Sequence, residues 1–304
     1  MATTIGFVIA THSDPPQTLR LIRTLQRIYD NPPIVWHHDF GQTTFSQSEI
    51  PSGVRLVLPH LRTQWGHFSV VMAFLRGLEL LYSDDNAPDW FVMLSGADYP
   101  TMKADTVLQE LAMSGMDALI DFREVPFDPR HQIAEQSENP ALQNFSLPFS
   151  ATIAKRRYVD FNAWLPVMRK GPRLGKRIIF LPFRSFMSPF GLDLKCFYGD
   201  HWFIGSRKIA QILTKPSDQH KQLGRYLRWR SVPEECYYHT VLGNIPGLKM
   251  TTDTRRFAKW QEGSAHPEIL GSEDLPMIIA SKAYFSRKFA SDSPILDEID
   301  RILA

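Results

Sequence analysis

The stretch IGFVIATHSDPPQTLRLIRTLQRIYDNPPIVWHHD, residues 5–39, decides the fold. Ile5 to Ala10 is an unbroken apolar run with β-branched members. Such a run suits a strand covered on both faces, as in a parallel sheet. Thr11 to Asp14 form a polar break, and Pro15-Pro16 then open a segment in which Leu19, Ile22, Leu25 and Ile28 recur at helical spacing. Prolines suit a helix's first turn, and the spacing gives one apolar face. Asn31-Pro32-Pro33 ends that helix, and Ile34 to His37 reads as a second strand closing at His38-Asp39. Strand, helix, strand in so short a span predicts a right-handed βαβ unit.

The pattern continues outward. Strands are expected at Val54–Leu58, Trp90–Leu94 and Ala118–Phe122, with helices over Phe68–Tyr82 and Thr106–Met113. Helical periodicity returns from Ile209 through Leu242, and Pro294–Leu303 reads as an amphipathic end helix. Between Arg123 and Lys195 the regularity fades into a segment rich in Pro, Phe, Arg and Lys, expected to hold loops and short strands over the sheet, closing over a substrate or simply presenting a basic surface. The expectation is an α/β fold in one domain over 1–304, with a nucleotide-binding half over 1–122 and an acceptor and catalytic half over 123–304. Ligands of open α/β sheets bind at the carboxyl ends of the strands. His12, Asp14, His38, Asp39, Asp98 and Asp121 all fall at such ends.

Composition narrows the function. The 34 Lys+Arg nearly balance 32 Asp+Glu, so nothing marks a nucleic-acid binder. Two cysteines, Cys196 and Cys236, exclude a disulfide framework and form no CxxC pair. The short apolar run at the N-terminus is neither a signal peptide nor a membrane span, so a cytoplasmic protein is expected. GxGxxG, GxxxxGK[ST], GxSxG and HExxH are all missing, which removes dinucleotide Rossmann enzymes, P-loop nucleotidases, α/β-hydrolases and zincins. His37-His38 make a poor metal pair, because neighbours on a strand face opposite ways. No Asp-x-Asp triplet occurs.

Several stretches carry the chemistry as an ordered set: Trp65 to Ser69, Trp90 to Pro100, Gly199 to Phe203, Val232 to Leu242, Trp260 with His266-Pro267, and Phe285 to Phe289. Together they resemble glycosyltransferase family 14, the core-2/I-branching β-1,6-N-acetylglucosaminyltransferases and peptide O-xylosyltransferases. The resemblance runs from Ile5 to about Phe289. Leu94 to Pro100 and Pro233 to Leu242 look closest to the xylosyltransferase branch.

The resemblance implies a GT-A-type fold, a UDP-sugar donor (UDP-GlcNAc or UDP-xylose first) and inversion at the anomeric carbon. Inversion needs one base for the acceptor hydroxyl and positive charge for the leaving diphosphate. By the family's Pro-acid-Glu motif the base is Glu235, with Asp200 as runner-up; His201 rather than Asp200 directly precedes Trp202. Lys288 matches the diphosphate lysine, and Arg287, ahead of Lys282, supplies the second cation, so no divalent metal is required. Asp39 matches the uridine side, with Asp98 and His12 on the donor rim. Trp260 resembles the acceptor platform, and Glu124 with Lys155 to Arg157 are looser acceptor candidates. Each has a plainer reading. Glu234-Glu235 suit a helix first turn, Asp98 a turn cap, Trp260 the core, and Arg287-Lys288 a solvated pair. Unlike the Golgi members, no anchor or stem and none of the family's disulfide cysteines is seen. The expected partners are a UDP-sugar and a glycan, peptide or lipid-linked acceptor, without nucleic acid or a membrane span. The rival is a non-catalytic glycan- or nucleotide-binding protein of the same fold.

Overall fold

The computed structural model describes residues 3–84, 86–125, 151–168, 174–185, 187–261, 264 and 266–304. The first half alternates as the sequence predicts: β1 (Ile5–Thr11), α1 (Pro15–Ile28), β2 (Ile34–His38), β3 (Val54–Leu56), α2 (Phe68–Leu81), β4 (Trp90–Ser95), β5 (Asp98–Pro100), α3 (Ala104–Met113), β6 (Ala118–Leu119) and β7 (Arg123–Glu124). Asp14 adopts a left-handed conformation and caps α1, its carboxylate accepting from Gln17 N–H at 3.2 Å.

The second half supplies β8 (Asp160–Met168), β9 (Leu174–Arg184), β10 (Phe197–Tyr198), β11 (Ile204–Ser206), α4 (Arg207–Thr214), α5 (Asp218–Leu227), α6 (Tyr237–Gly243), β12 (Met250–Thr251), β13 (Arg256–Ala258), α7 (Leu275–Ser281), β14 (Phe285–Arg287) and α8 (Ile295–Leu303). A seven-stranded, mostly parallel sheet runs β12-β6-β11-β4-β1-β2-β3, with β11 antiparallel to both its neighbours. Strands of both halves therefore build one sheet. Its central strands are buried on both faces, which is why they read as continuous apolar runs. Gly77 of α2 lies against Val8 of β1, where a Cβ would meet the valine side chain at 2.4 Å. A smaller sheet, β13-β14-β5, covers the carboxyl end of β4.

One expectation is corrected. The segment after Arg123 holds no mere short strands: β8 and β9 form an antiparallel hairpin of nine and eleven residues. The rest of that expectation, over 126–150 and 169–173, lies outside the described residues. The periodicity from Ile209 to Leu242 belongs to three helices, broken at Ser217 and at Val232-Pro233, where Val232 takes a positive φ of 53°. Among the described residues no helix is long and apolar enough to cross a membrane.

Candidate active site

Because β1, β2 and β4 are parallel neighbours, their carboxyl ends share one rim. Thr11 organises its nucleotide side. Its hydroxyl accepts from Trp36 Nε1–H at 2.8 Å and pairs with His38 Nδ1 at 2.7 Å. His38 Nε2 meets the Thr43 carbonyl at 2.7 Å, an acceptor only, so Nε2 carries the proton and Nδ1 accepts from Thr11. His12 follows at the rim, exposed, its carbonyl accepting from Thr43 Oγ1 at 2.6 Å.

Asp39 closes β2 and is buried. Its carboxylate accepts from Gly41 N–H (3.0 Å), Gln42 Nε2–H (2.7 Å), Thr63 N–H (2.7 Å) and the Thr63 hydroxyl (3.1 Å). Burial pushes its pKa up, but these donors outweigh it and hold the pKa at about 2. Asp39 lines a cleft of about 580 Å³ with Gln42, Arg62, Gln64, His67 and Ser69. A folded pKa below the usual 3.8 contributes stability that is complete above about pH 4 and lost as pH falls through about 2. The melting temperature of the wild type should therefore fall more steeply between pH 4 and pH 2 than that of Asp39→Asn. Parallel curves for the two proteins would refute this account.

The loop from Thr63 to His67 leads from that cleft to the acids. Gly66, at φ 72°, accepts from Val232 N–H at 2.9 Å, and its own N–H holds the Glu234 carboxylate. Pro233–Glu235 is a single 3-10 turn that ends at Cys236, before α6, and makes no side-chain cap. The two glutamates thus stand ahead of the helix rather than capping its first turn. Burial raises Glu234 to about 7 and Glu235 to about 8. For Glu235, Arg157 opposes that rise, while Glu234, Asp200 and Asp121 add to it. Arg157 Nη1 lies 3.3 Å from Glu235 Oε2, and the Glu235 side chain is 27% exposed. It is hemmed in by protein yet open on one side.

Asp200 is brought to the same place. Its N–H donates to Asp121 Oδ2 at 3.4 Å and its carbonyl accepts from His239 Nε2 at 3.0 Å. Its carboxyl reaches solvent but is crowded by protein, and this desolvation raises its pKa against the opposing pull of Arg287 and Arg256. Gly199 makes the approach possible, since a Cβ there would fall 1.9 Å from the Asp121 carbonyl oxygen.

Asp98 is fully buried and its carboxylate is bound by Arg256 Nη1 at 2.6 Å, with Arg287 Nε at 3.6 Å. It also takes both the N–H and the hydroxyl of Ser95. Arg287 lies over the Trp202 ring at 4.5 Å. Lys288 is half buried with no carboxylate within salt-bridge distance among the described residues. Burial first, then Arg287, lowers its pKa. Burial first, then Lys288 and Arg287, lowers the pKa of His266, whose ring packs edge-on against exposed Trp65 at 5.7 Å.

The structure therefore brings Asp98, Asp200, Glu235, Arg287 and Lys288 into one charged region, with Asp39 and His12 along the same rim. Two expected acceptor residues stand apart from these contacts. Glu124 on β7 is exposed and pairs with Lys195 at 3.1 Å. Trp260 is half buried beyond β13, and no ring or cation contact is recorded for it among the described residues. Sequence reasoning missed Arg256 altogether. Its only signal was an Arg in a three-residue strand, indistinguishable from a solvated one. Among the described residues no group of three His, Cys, Asp or Glu is arranged to hold a metal.

The profile of the Core-2/I-Branching enzyme family matches residues 5–276. The chain belongs to this family. Beta-glucuronosyltransferase GlcAT14B of Arabidopsis thaliana is 26% identical to this Core-2/I-Branching member over 239 residues, 76% of this chain and 48% of that protein. Human xylosyltransferase 1 is 23% identical over 267 residues, 84% of this chain and 24% of that protein. The chain thus spans half or less of the length of these relatives. A solved 4-diphosphocytidyl-2C-methyl-D-erythritol synthase from Anaerococcus prevotii superposes at a TM-score of 0.34 and 10% identity over 91% of this chain and 95% of that one, too loosely to bear on the site.

Proposed function

We propose that the protein is an inverting, GT-A-type transferase that moves a sugar from a UDP-sugar to an acceptor hydroxyl. The observation that carries this is the meeting, at one strand-end rim, of carboxyls raised by burial (Glu235, Asp200) with the cations Arg287 and Lys288. Glu235 accepts the acceptor's hydroxyl proton as the oxygen attacks the anomeric carbon. The bond to the diphosphate breaks on the opposite face, and Arg287 and Lys288 take up its charge. Asp39 and its cleft suit the nucleoside. The relatives' names supply glucuronate and xylose as donors to try beside N-acetylglucosamine.

Two cations against a diphosphate do the neutralising work that a divalent metal does elsewhere. UDP at millimolar concentration should raise the melting temperature in proportion to the logarithm of its concentration. Lys288→Ala should weaken that shift and slow transfer together. Transfer should survive EDTA. Activity lost in EDTA and restored by Mn²⁺ would show that the diphosphate is held otherwise, and UDP binding without any transfer would favour a non-catalytic binder.

A further inference from the structure

The chain has two cysteines, 40 positions apart, and the fold brings them together. Cys196 directly precedes β10, and Cys236 closes the acid turn directly after Glu235. Their sulfurs stand 3.9 Å apart, and both side chains are fully buried. Neither thiol takes part in the site.

The chain around each cysteine is laced to the other. Phe197 N–H donates to the Thr240 hydroxyl at 3.1 Å, and that hydroxyl donates to the Phe197 carbonyl at 3.1 Å. Gly199 N–H donates to the Glu235 carbonyl at 3.0 Å, and His239 Nε2–H donates to the Asp200 carbonyl at 3.0 Å. One segment carries Asp200 and the other Glu235, so the sulfurs sit at the seam between the two candidate acids. A disulfide holds its sulfurs ~2.05 Å apart, so bonding needs a further approach of about 2 Å. Cys236 is placed to give way. At φ −129° and ψ −40° it is the junction between the 3-10 turn and α6, outside the regular geometry of either.

We propose that Cys196 and Cys236 form a reversible disulfide that ties the Asp200 segment to the acid turn. Both S–H bonds break, one S–S bond forms, and two electrons and two protons pass to the oxidant. With a diazene as oxidant, the N=N bond takes them up and becomes the N–N bond of a hydrazine. Both thiols are closed off from solvent, so the oxidant is a small molecule rather than a protein partner. Burial first, then Cys236, raises the Cys196 pKa, which makes that thiol slow toward alkylating reagents while the chain is folded. On the transferase reading, and only on it, the bond also slows turnover. Cys236 adjoins Glu235, and a misplacement of about 1 Å in a reacting group can cost ~10²-fold. The bond itself does not depend on that reading.

The test treats the folded full chain with the diazene diamide, quenches it, unfolds it, alkylates free thiols with N-ethylmaleimide and weighs the product. The treated chain should lose the mass of two hydrogens and take up no label. Its digest should hold one pair of peptides joined through Cys196 and Cys236, in a yield that does not fall when the protein is diluted. Dithiothreitol should restore two labelled thiols. Two labelled thiols after treatment, or chains joined to one another instead, overturn the proposal. In a transfer assay the treated wild type should slow ~10²-fold and recover with dithiothreitol. Cys196→Ala, verified as folded by its melting temperature, should keep its own untreated rate. A bond that forms and leaves the rate unchanged overturns the effect on turnover. The UDP-dependent melting shift and transfer rate of the reduced protein report the transferase reading separately, and the mass readout stands whichever way they fall.

Discussion

Replacing Glu235 by Gln should cut sugar transfer by ~10²–10⁴-fold while leaving UDP binding close to wild type and the melting temperature at or above it. The amide keeps the shape of the carboxyl and a hydrogen bond toward Arg157, 3.3 Å away, but takes up no proton at useful pH. The pH profile gives a second readout. Burial raises the Glu235 pKa to about 8, so the proton-accepting form gains population as pH rises through that value. In the wild type kcat/KM should climb through about pH 8, and the Gln variant should lose that limb. The same shift has a stability cost of opposite sign to that of Asp39. A carboxyl whose folded pKa is raised destabilises the native state progressively from about pH 4.5 to about 8. Asp200→Asn should cost less activity than Glu235→Gln. The reverse order would make Asp200 the base and leave Glu235 a structural member of the turn.

Removing Arg256 should be the most damaging single change to the fold around the site. Its side chain is 3% exposed, it binds Asp98 at 2.6 Å, and its second nitrogen donates to the Met93 carbonyl at 2.9 Å. Arg256→Met leaves the buried carboxylate with its Ser95 hydrogen bonds but with Arg287, 3.6 Å away, as its one remaining ion-pair partner among the described residues, and breaking a buried pair from one side costs roughly 3–5 kcal/mol. In urea the midpoint should drop by the equivalent amount with an unchanged slope. Adding Asp98→Asn should recover part of the loss, because the uncompensated charge is then gone. A single variant that unfolds at the wild-type midpoint would mean that the pair contributes nothing to the fold.

What could be read from the sequence follows the physics of each element. β1, β2 and β4 are central parallel strands, and burial on both faces forces an apolar run that leaves little room for another reading. α1 announced itself through Pro15-Pro16 and its apolar spacing. β13 and β14, which carry Arg256 and Arg287, are three residues each and too short to show a period. The hairpin failed for another reason: Pro166 and Pro182 inside its strands, and cations interspersed with apolar residues along its sequence, look like loop. The rim acids were visible because a polar residue follows each apolar run. Arg256 and the hydrogen bonds of Asp39 were not, since they depend on which distant segments the topology folds together. Thr63 lies 24 positions from Asp39, and Arg256 lies 158 from Asp98.

The peptide of Gly66 ties the Asp39 cleft to the acid turn through Val232 and Glu234. A crossbar of this kind makes the two ends one thermodynamic unit. Free energy released by filling the cleft is spread into the placement of the turn, and strain in the turn is felt as altered affinity at the cleft. Substitutions along Thr63 to His67 therefore do not divide into those that change affinity and those that change turnover. Michaelis constants and rate constants for such variants carry shared information, and neither measures a single contact.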